Sequence, residues 1–303
     1  MKISAVIVTY NRLDLLKECV ESVKNQSHPL YKVIIINNKS TDGTEEYLEK
    51  FDNDDSYQIR NMDKNEGGAG GFYEGIKIAV NDGADWVWVM DDDTIPTRTA
   101  LEELVKGASV DEKIGFVCSK VLWKDGSLHK MNMPSFYSKL NINFPLHYYT
   151  GLADVLRINS ASFVSLMVKC SVVKEVGLPI KEFFIWGDDV EFTQRISDKG
   201  YVGLYADKSI VLHDTKDNYV SDIVTSPVEM SWKFYYGIRN DLFLRRRGKN
   251  RIIFFFSSLN YCRRLKRKVN RRNDSKRIFR DIIRKAFKAS ISFNPQIKYI
   301  SED

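Results

Sequence analysis

Three consecutive carboxylates, Asp91-Asp92-Asp93, follow directly on the apolar run Trp86-Val87-Trp88-Val89-Met90. Held together without a cation they repel one another by about 4 kcal/mol per pair at 4 Å near a protein surface. Alternate side chains of an extended chain share a face, so Asp91 and Asp93 can address one ion while Asp92 points elsewhere. Hard oxygen ligands favour magnesium or manganese, commonly with a phosphate completing the shell. The alternative is a solvated acidic turn capping the helix that begins near Thr99. A second acidic group, Asp188-Asp189-Val190-Glu191, follows Phe184-Ile185-Trp186-Gly187 and opens a helix. The helix dipole favours acids in a first turn. Chemically, such a carboxylate is a general base that removes a hydroxyl proton as a new bond forms. His213 ends the run Ile210-Val211-Leu212 and offers a third metal ligand through a neutral ring nitrogen, or is an ordinary packed histidine. The apolar strand ahead of Asp91 and the second carboxylate group together favour chemistry over decoration.

A glycine cluster, Asn65-Glu66-Gly67-Gly68-Ala69-Gly70-Gly71-Phe72, has neither G-x-x-x-x-G-K-[ST] nor G-x-G-x-x-G spacing. It permits close backbone approach and positive φ. Its free amides at a helix N-terminus suit a diphosphate or sugar. The plainer reading is a tight strand-to-helix connection. Phe183, Phe184 and Trp186 suit a sugar-stacking wall, although three aromatics more often build core.

These groups need a scaffold. Ile3–Thr9 is apolar and rich in β-branched residues, which predicts a buried strand. Leu13, Leu16, Cys19, Val20 and Val23 recur at helical spacing, and Val33–Ile36 and Tyr57–Asn61 predict further strands. Thr41 or Asp42 is placed to cap the helix after the second strand. Helical periodicity returns at Phe72–Val80 before the strand Trp86–Met90. Strands alternating with helices predict a parallel α/β sheet with ligands at the carboxyl ends of its strands.

The 303 residues, 43% hydrophobic and 28% charged, exclude a disordered or fibrous chain. Four scattered cysteines without a C-x-x-C pair argue against a disulfide framework or zinc module. No signal-peptide pattern opens the chain, and the run Ile252–Tyr261 is too short to span a bilayer. The net charge of +6 hides an asymmetry: residues 1–229 carry 25 Lys/Arg against 35 Asp/Glu, residues 230–303 carry 21 against 5. Basic residues interleaved with Ile252, Ile253 and Phe254–Phe256 read as an interfacial segment on an anionic surface. A solvated bundle or oligomer contact is the plainer alternative; nucleic acid is not expected, because no nucleic-acid motif appears.

Taken together, Val6-Ile7-Val8-Thr9-Tyr10-Asn11-Arg12, Asn37-Asn38-x-Ser40-Thr41-Asp42-Gly43-Thr44, Asp91–Asp93, Asp188-Asp189-x-Glu191 and Tyr235-Tyr236-x-x-Arg239-Asn240 resemble the inverting nucleotide-sugar glycosyltransferases of family 2. The resemblance covers about residues 1–245. Within the family, 65–72 and 186–191 look most like bacterial galactofuranosyltransferases. The resemblance implies a GT-A fold, α/β and Rossmann-like, with a mainly parallel sheet flanked by helices, over residues 1–228. A basic helical C-terminal region, 229–303, would meet the membrane surface. It implies that Thr9, Asn11, Arg12, Asn38, Asn65, Gly67, Gly68, Gly71 and Asp92 bind a nucleotide-sugar donor. It places Mn2+ or Mg2+ on Asp91, Asp93 and His213. Asp189 would be the catalytic base, with Trp186, Asp188 and Glu191 at the acceptor. The expected activity is inverting transfer of a hexosyl group, best galactofuranose from UDP-galactofuranose, onto a lipid-linked polysaccharide at the cytoplasmic membrane face. A rhamnosyl or other hexosyl donor is the rival within the class; a non-catalytic nucleotide-sugar or polysaccharide binder is the rival outside it.

Overall fold

The computed structural model describes residues 1–136, 155–247 and 250–300. The chain divides into two compact units. One holds Met1–Lys181, Asp189–Tyr219 and the C-terminal segment from Ile297; the other holds Glu182–Asp188 and Val220–Gln296.

The first unit is built on one ten-stranded sheet. Its N-terminal part is β1 (Ile3–Thr9), α1 (Leu13–Lys24), β2 (Lys32–Asn37), α2 (Thr44–Leu48), β3 (Tyr57–Asn61), α3 (Gly67–Asn81) and β4 (Trp86–Asp91). Then come β5 (Thr94–Pro96), α4 (Ala100–Ala108), β6 (Ile114–Leu122), β7 (Ser135–Phe136), β8 (Val155–Ser160), β9 (Leu166–Lys169), α5 (Cys170–Val176), α6 (Asp188–Asp198) and β10 (Val202–His213). The order is β3-β2-β1-β4-β9-β6-β10-β8-β7, with β5 on β10. Strands β3, β2, β1 and β4 are parallel, as the strand–helix alternation requires. Beyond them the sheet is mixed: β9 runs antiparallel to β4 and β6, β8 antiparallel to β10, while β10 is parallel to β6.

Every residue of β1 is buried, because both faces of the sheet are covered. Ile3, Ala5 and Ile7 join Leu16, Cys19, Val20 and Val23 of α1 and Leu101 and Leu104 of α4 in one layer. Val6 and Val8 face the other way, against Phe72, Ile76 and Ala79 of α3. That split is the two-residue period of a strand read directly as two cores. Helix α3 starts at Gly67, five residues before the apolar periodicity, so most of the glycine cluster is helical. The reason is contact: a Cβ on Gly71 would stand 2.4 Å from Val8 Cγ1, and one on Gly75 2.3 Å from Val6 Cγ1. The bare backbone lets α3 lie closer to β1 than any side chain allows.

The second unit is helical: α7 (Ser231–Arg246), α8 (Arg251–Val269) and α9 (Lys276–Ser292). Phe234, Ile238 and Leu242 of α7 meet Cys262 and Val269 of α8 and Phe279, Ile283 and Ala286 of α9. The three- and four-residue spacings put one stripe of each helix into this core.

Candidate active site

The carboxyl end of β4 carries Asp91 into Asp92 and Asp93. Strand β5 follows at once and pairs antiparallel with the end of β10, setting Thr94 opposite His213. The Asp214 amide also donates to the Asp93 carbonyl at 2.9 Å. This ladder brings a histidine 120 positions along the chain to the aspartates. One ligand atom each from Asp91, Asp93 and His213 lies within 4.8 Å of the other two, the grouping that the sequence predicted. His213 Nε2 stands 3.1 Å from Asp93 Oδ1. Its Nδ1 lies 2.8 Å from Asn132 Oδ1. An amide oxygen only accepts, so Nδ1 carries a proton. Burial opposes charge on the ring, but contact with Asp93 and the charges of Asp93 and Asp91 raise His213 above the ordinary imidazole value. Nε2–H therefore also faces Asp93, and a bound cation would take the place of that proton. The Asn132 amide nitrogen donates to Ser162 Oγ at 2.9 Å, which agrees with that orientation. The ring of His129, buried, lies 4.4 Å from that of His213.

Asp92 and Asp93 lie in the turn between β4 and β5, not in the extended chain that the sequence suggested. The turn, rather than strand alternation, points Asp92 to the end of β1. Asp92 accepts from Thr9 Oγ1 at 2.8 Å and from the Tyr10 amide at 3.3 Å. Arg12 Nη1 bridges Asp92 at 3.2 Å and Asp93 at 2.5 Å. Burial, and then the charge of Asp93, pushes the Asp91 carboxyl up to about 7. Burial lifts Asp92 to about 6 even against Arg12. Burial raises Asp93 too, but His213 and Arg12 more than offset it and hold it below the usual carboxylate range. Burial, then the neighbouring His213, lowers His129 to about 4, so that ring stays neutral near pH 7. Two oxygens and an imidazole nitrogen converge where an anion is penalised. That donor set fits a divalent cation of the manganese or magnesium class.

The remaining residues of the expected donor pocket divide. Asn11, at φ +54°, accepts from the Thr41 amide at 2.7 Å and is otherwise exposed. Asn38 is buried and committed to the backbone: Nδ2 donates to the Gly67 carbonyl at 2.7 Å and Oδ1 accepts from the Glu66 amide at 3.1 Å. It ties the end of β2 to the start of α3. Asn65 Oδ1 accepts from the Gly67 amide at 2.8 Å, which occupies one of the amides at the α3 N-terminus. Gly67 takes a left-handed φ of +73°, and Gly71 is explained by Val8. Gly68 has only Phe72, 3.9 Å from its would-be Cβ. Asp42 accepts from the Leu13 amide at 3.0 Å and from the Thr44 amide at 3.3 Å, so it serves the start of α1 as well as that of α2.

At the second carboxylate group, α6 begins at Asp188, which is buried, and Asp189 is half-buried. Glu191 is fully buried, and Arg195 grips it from Nε at 3.0 Å and Nη2 at 2.9 Å. Arg195 also donates to the carbonyls of Val176, Gly177 and Leu178. Glu191, fully buried, therefore anchors α6 to the end of α5. Trp186 packs edge-on to Phe234 at 5.1 Å and covers Gly237 of α7. Its segment hangs on Asn240, whose amide donates to the carbonyls of Phe183, Ile185 and Trp186 at 2.9–3.1 Å. Phe183 is core, whereas Phe184 stacks on Tyr236 at 4.6 Å.

Sequence reasoning missed Asn132, His129 and Ser162. An asparagine in irregular chain has no period to give it away, and only its contact with His213 marks it.

Comparison with known proteins bears on the family and the fold. The family model described as Glycosyl transferase family 2 matches residues 4–177. The chain is 25% identical over 202 residues to the galactofuranosyltransferase GlfT1 of Mycolicibacterium smegmatis, covering 65% of this chain and 66% of that protein. It is 28% identical over 220 residues to the glycosyltransferase AglE of Haloferax volcanii, covering 71% and 67%. A poly-beta-1,6-N-acetyl-D-glucosamine synthase of Staphylococcus epidermidis matches at 27% over 177 residues, 58% of this chain and 41% of the synthase. The match thus spans between 41% and 67% of these relatives' length. Among solved structures, GalNAc-T7 with UDP, GalNAc and Mn2+ superposes with a TM-score of 0.56 at 16% identity over 78% of this chain and 48% of that one. The mannosyltransferase PcManGT of Pyrobaculum calidifontis, with GDP-Man and Mn2+, gives 0.51 at 15% over 96% and 73%. With a GT-A-like sheet, acidic strand ends and a family match over more than half its length, the chain belongs to Glycosyl transferase family 2.

Proposed function

We propose that this protein is a metal-dependent inverting glycosyltransferase that moves a sugar from a nucleoside diphosphate onto a hydroxyl of a glycan acceptor. The observation that carries the reading is the convergence of Asp91, Asp93 and His213 at the ends of β4 and β10. These residues would hold Mn2+ or Mg2+, which when bound supplies Lewis-acid stabilisation to a departing diphosphate. Thr9, Asn11 and Arg12 stand at the adjoining end of β1 for the donor, and Asp92 keeps Thr9 and Arg12 in place. Arg12 brings a permanent positive charge toward the phosphates. Asp189 takes the proton from the acceptor hydroxyl, whose oxygen bonds to the anomeric carbon on the face opposite the leaving group. One displacement inverts that carbon. Asp188 and Trp186 are the remaining acceptor residues.

UDP-galactofuranose is the donor this reading favours, supported by segments 65–72 and 186–191 and by the likeness to GlfT1. The acceptor would be a lipid-linked cell-surface polysaccharide, met at the cytoplasmic membrane face. The test is nucleoside diphosphate release with Mn2+ from UDP-galactofuranose, UDP-galactopyranose, UDP-glucose, UDP-N-acetylglucosamine and dTDP-rhamnose, with and without lipid-linked acceptor. Asp93→Ala is expected to abolish release, and Asp189→Asn to remove turnover while donor affinity stays within about twofold. Nucleotide-sugar binding without turnover from any donor would make the protein a binding module instead. Failure to bind any nucleotide would sink the reading.

A further inference from the structure

The first turns of α8 expose four large apolar side chains within five residues: Ile252 at 70%, Ile253 at 53%, Phe255 at 45% and Phe256 at 65%. They are not core that has spilled outward. The buried side of the same helix is Phe254, Ser258, Cys262 and Val269, and it already faces α7 and α9. A folded surface does not ordinarily keep such a cluster in water. Helices α8 and α9 form an antiparallel hairpin across a six-residue connection, and the rings of Phe255 and Phe287 lie 6.3 Å apart. The apolar start of α8 therefore lies beside the end of α9, and the opposite end of the hairpin is basic. There a groove of about 780 Å³ is lined by Lys266, Arg277, Arg280, Arg284 and Lys285, with Ile278 and Ile282 between them. Its one acid, Asp281, is already paired with Arg284 at 2.6 Å and Lys285 at 2.9 Å. Residues 251–292 carry fourteen Lys/Arg against two Asp.

We infer that the α8–α9 hairpin is a membrane-docking surface, with Ile252, Ile253, Phe255 and Phe256 entering the acyl boundary and the basic groove seated on anionic lipid headgroups. Charge and apolarity together select this occupant. A second copy of the chain would bring fourteen cations against fourteen. A nucleic acid would satisfy the cations and leave two isoleucines in water. An anionic bilayer offers negative charge with hydrocarbon directly beneath it. Spanning is not implied: no described helix is long and apolar enough to cross a membrane. The inference refines the membrane placement in the proposed function, and it is measured without donor or turnover, so either can fail while the other stands.

The experiment is co-sedimentation of the full chain with vesicles of phosphatidylglycerol and phosphatidylethanolamine, against vesicles of phosphatidylcholine alone. Binding at least tenfold tighter to the anionic vesicles is expected, weakening as salt rises. Ile252→Ser with Phe256→Ser should cut it tenfold or more, and Lys266→Glu with Arg280→Glu likewise. All four residues are exposed, so circular dichroism and melting should be unchanged in both variants. Equal binding to the two vesicle types, or an unaffected serine variant, would overturn the inference. So would a concentration-dependent dimer that the serine variant abolishes. Salt-sensitive oligonucleotide binding that responds to the charge variant alone, without vesicle binding, would assign the hairpin to nucleic acid.

Discussion

At Asp91 a proton links the fold to the cation proposed for this site. Its carboxyl, at about 7 in the folded chain against an ordinary 3.8, keeps a proton that the unfolded chain has lost. A raised acid contributes stability that is full below the unfolded value and disappears as pH climbs to 7. A divalent cation needs the deprotonated form. Because Asp91 and His213 must both give up protons, Mn2+ affinity is expected to rise at least about tenfold per pH unit below 7 and to flatten at higher pH, as calorimetry between pH 5.5 and 8 would show. A flat profile would mean that Asp91 is not a ligand. Asn132 acts through His213: its oxygen accepts a hydrogen bond from Nδ1–H and aims Nε2 at the carboxylates. Asn132→Ala should weaken Mn2+ binding about 10–100-fold, the usual cost of losing such a partner, while leaving the melting temperature of the metal-free protein within a few degrees. Asn132→Asp, which keeps an acceptor, should recover most of the loss.

Among the elements, α3 shows that glycines in one run can have opposite consequences. A methyl on Gly75 meets Val6 and Ile36 between helix and strand, whereas one on Gly68 finds only Phe72 at 3.9 Å. Gly75→Ala should cost about 1–3 kcal/mol by overpacking. Gly68→Ala should be neutral or stabilising by up to about 1 kcal/mol, because alanine is the better helix former. Urea titration of the two variants separates them; equal losses would mean that helix propensity, and not contact with β1, decides this segment. The same element shows how propensity misleads. Glycine-rich sequence reads as loop up to Phe72, yet tertiary contact with Val6 and Val8 begins the helix at Gly67. The Tyr235–Asn240 segment was legible as a motif but not as a device. Asn240 holds the Phe183–Trp186 backbone by three carbonyls, a task that no spacing in the sequence announces.

For the whole molecule, ligand and stability are coupled by mass action. Mn2+ with UDP, at a hundred times their dissociation constant, should add about 2.7 kcal/mol to the unfolding free energy. A calorimetric scan should show a transition several degrees higher with both than with UDP alone. Asp93→Ala should remove that increment. No shift with any nucleoside diphosphate would count against a donor site at the end of β1.

The sequence alone determined the parallel core and the acids at its edge. Runs of β-branched residues, helical spacing and acids at the end of an apolar strand are local signals, each legible within about ten residues. They place β1 through β4 and make Asp91, Asp93 and His213 candidates for one ion. Tertiary structure decided what depends on distant partners. Antiparallel pairing of β5 with β10 brings His213 to Asp93 from 120 positions away, and Asn132 becomes visible only through that meeting. Strands β8 and β9 run counter to their neighbours, which no alternation of elements announced. Burial made Glu191 a structural partner of Arg195, although the motif around it read as an acceptor site. Asn38 likewise spends its amide on the α3 backbone. A side chain's type is written in the sequence, but its remaining hydrogen-bonding capacity is known only when every neighbour is in place.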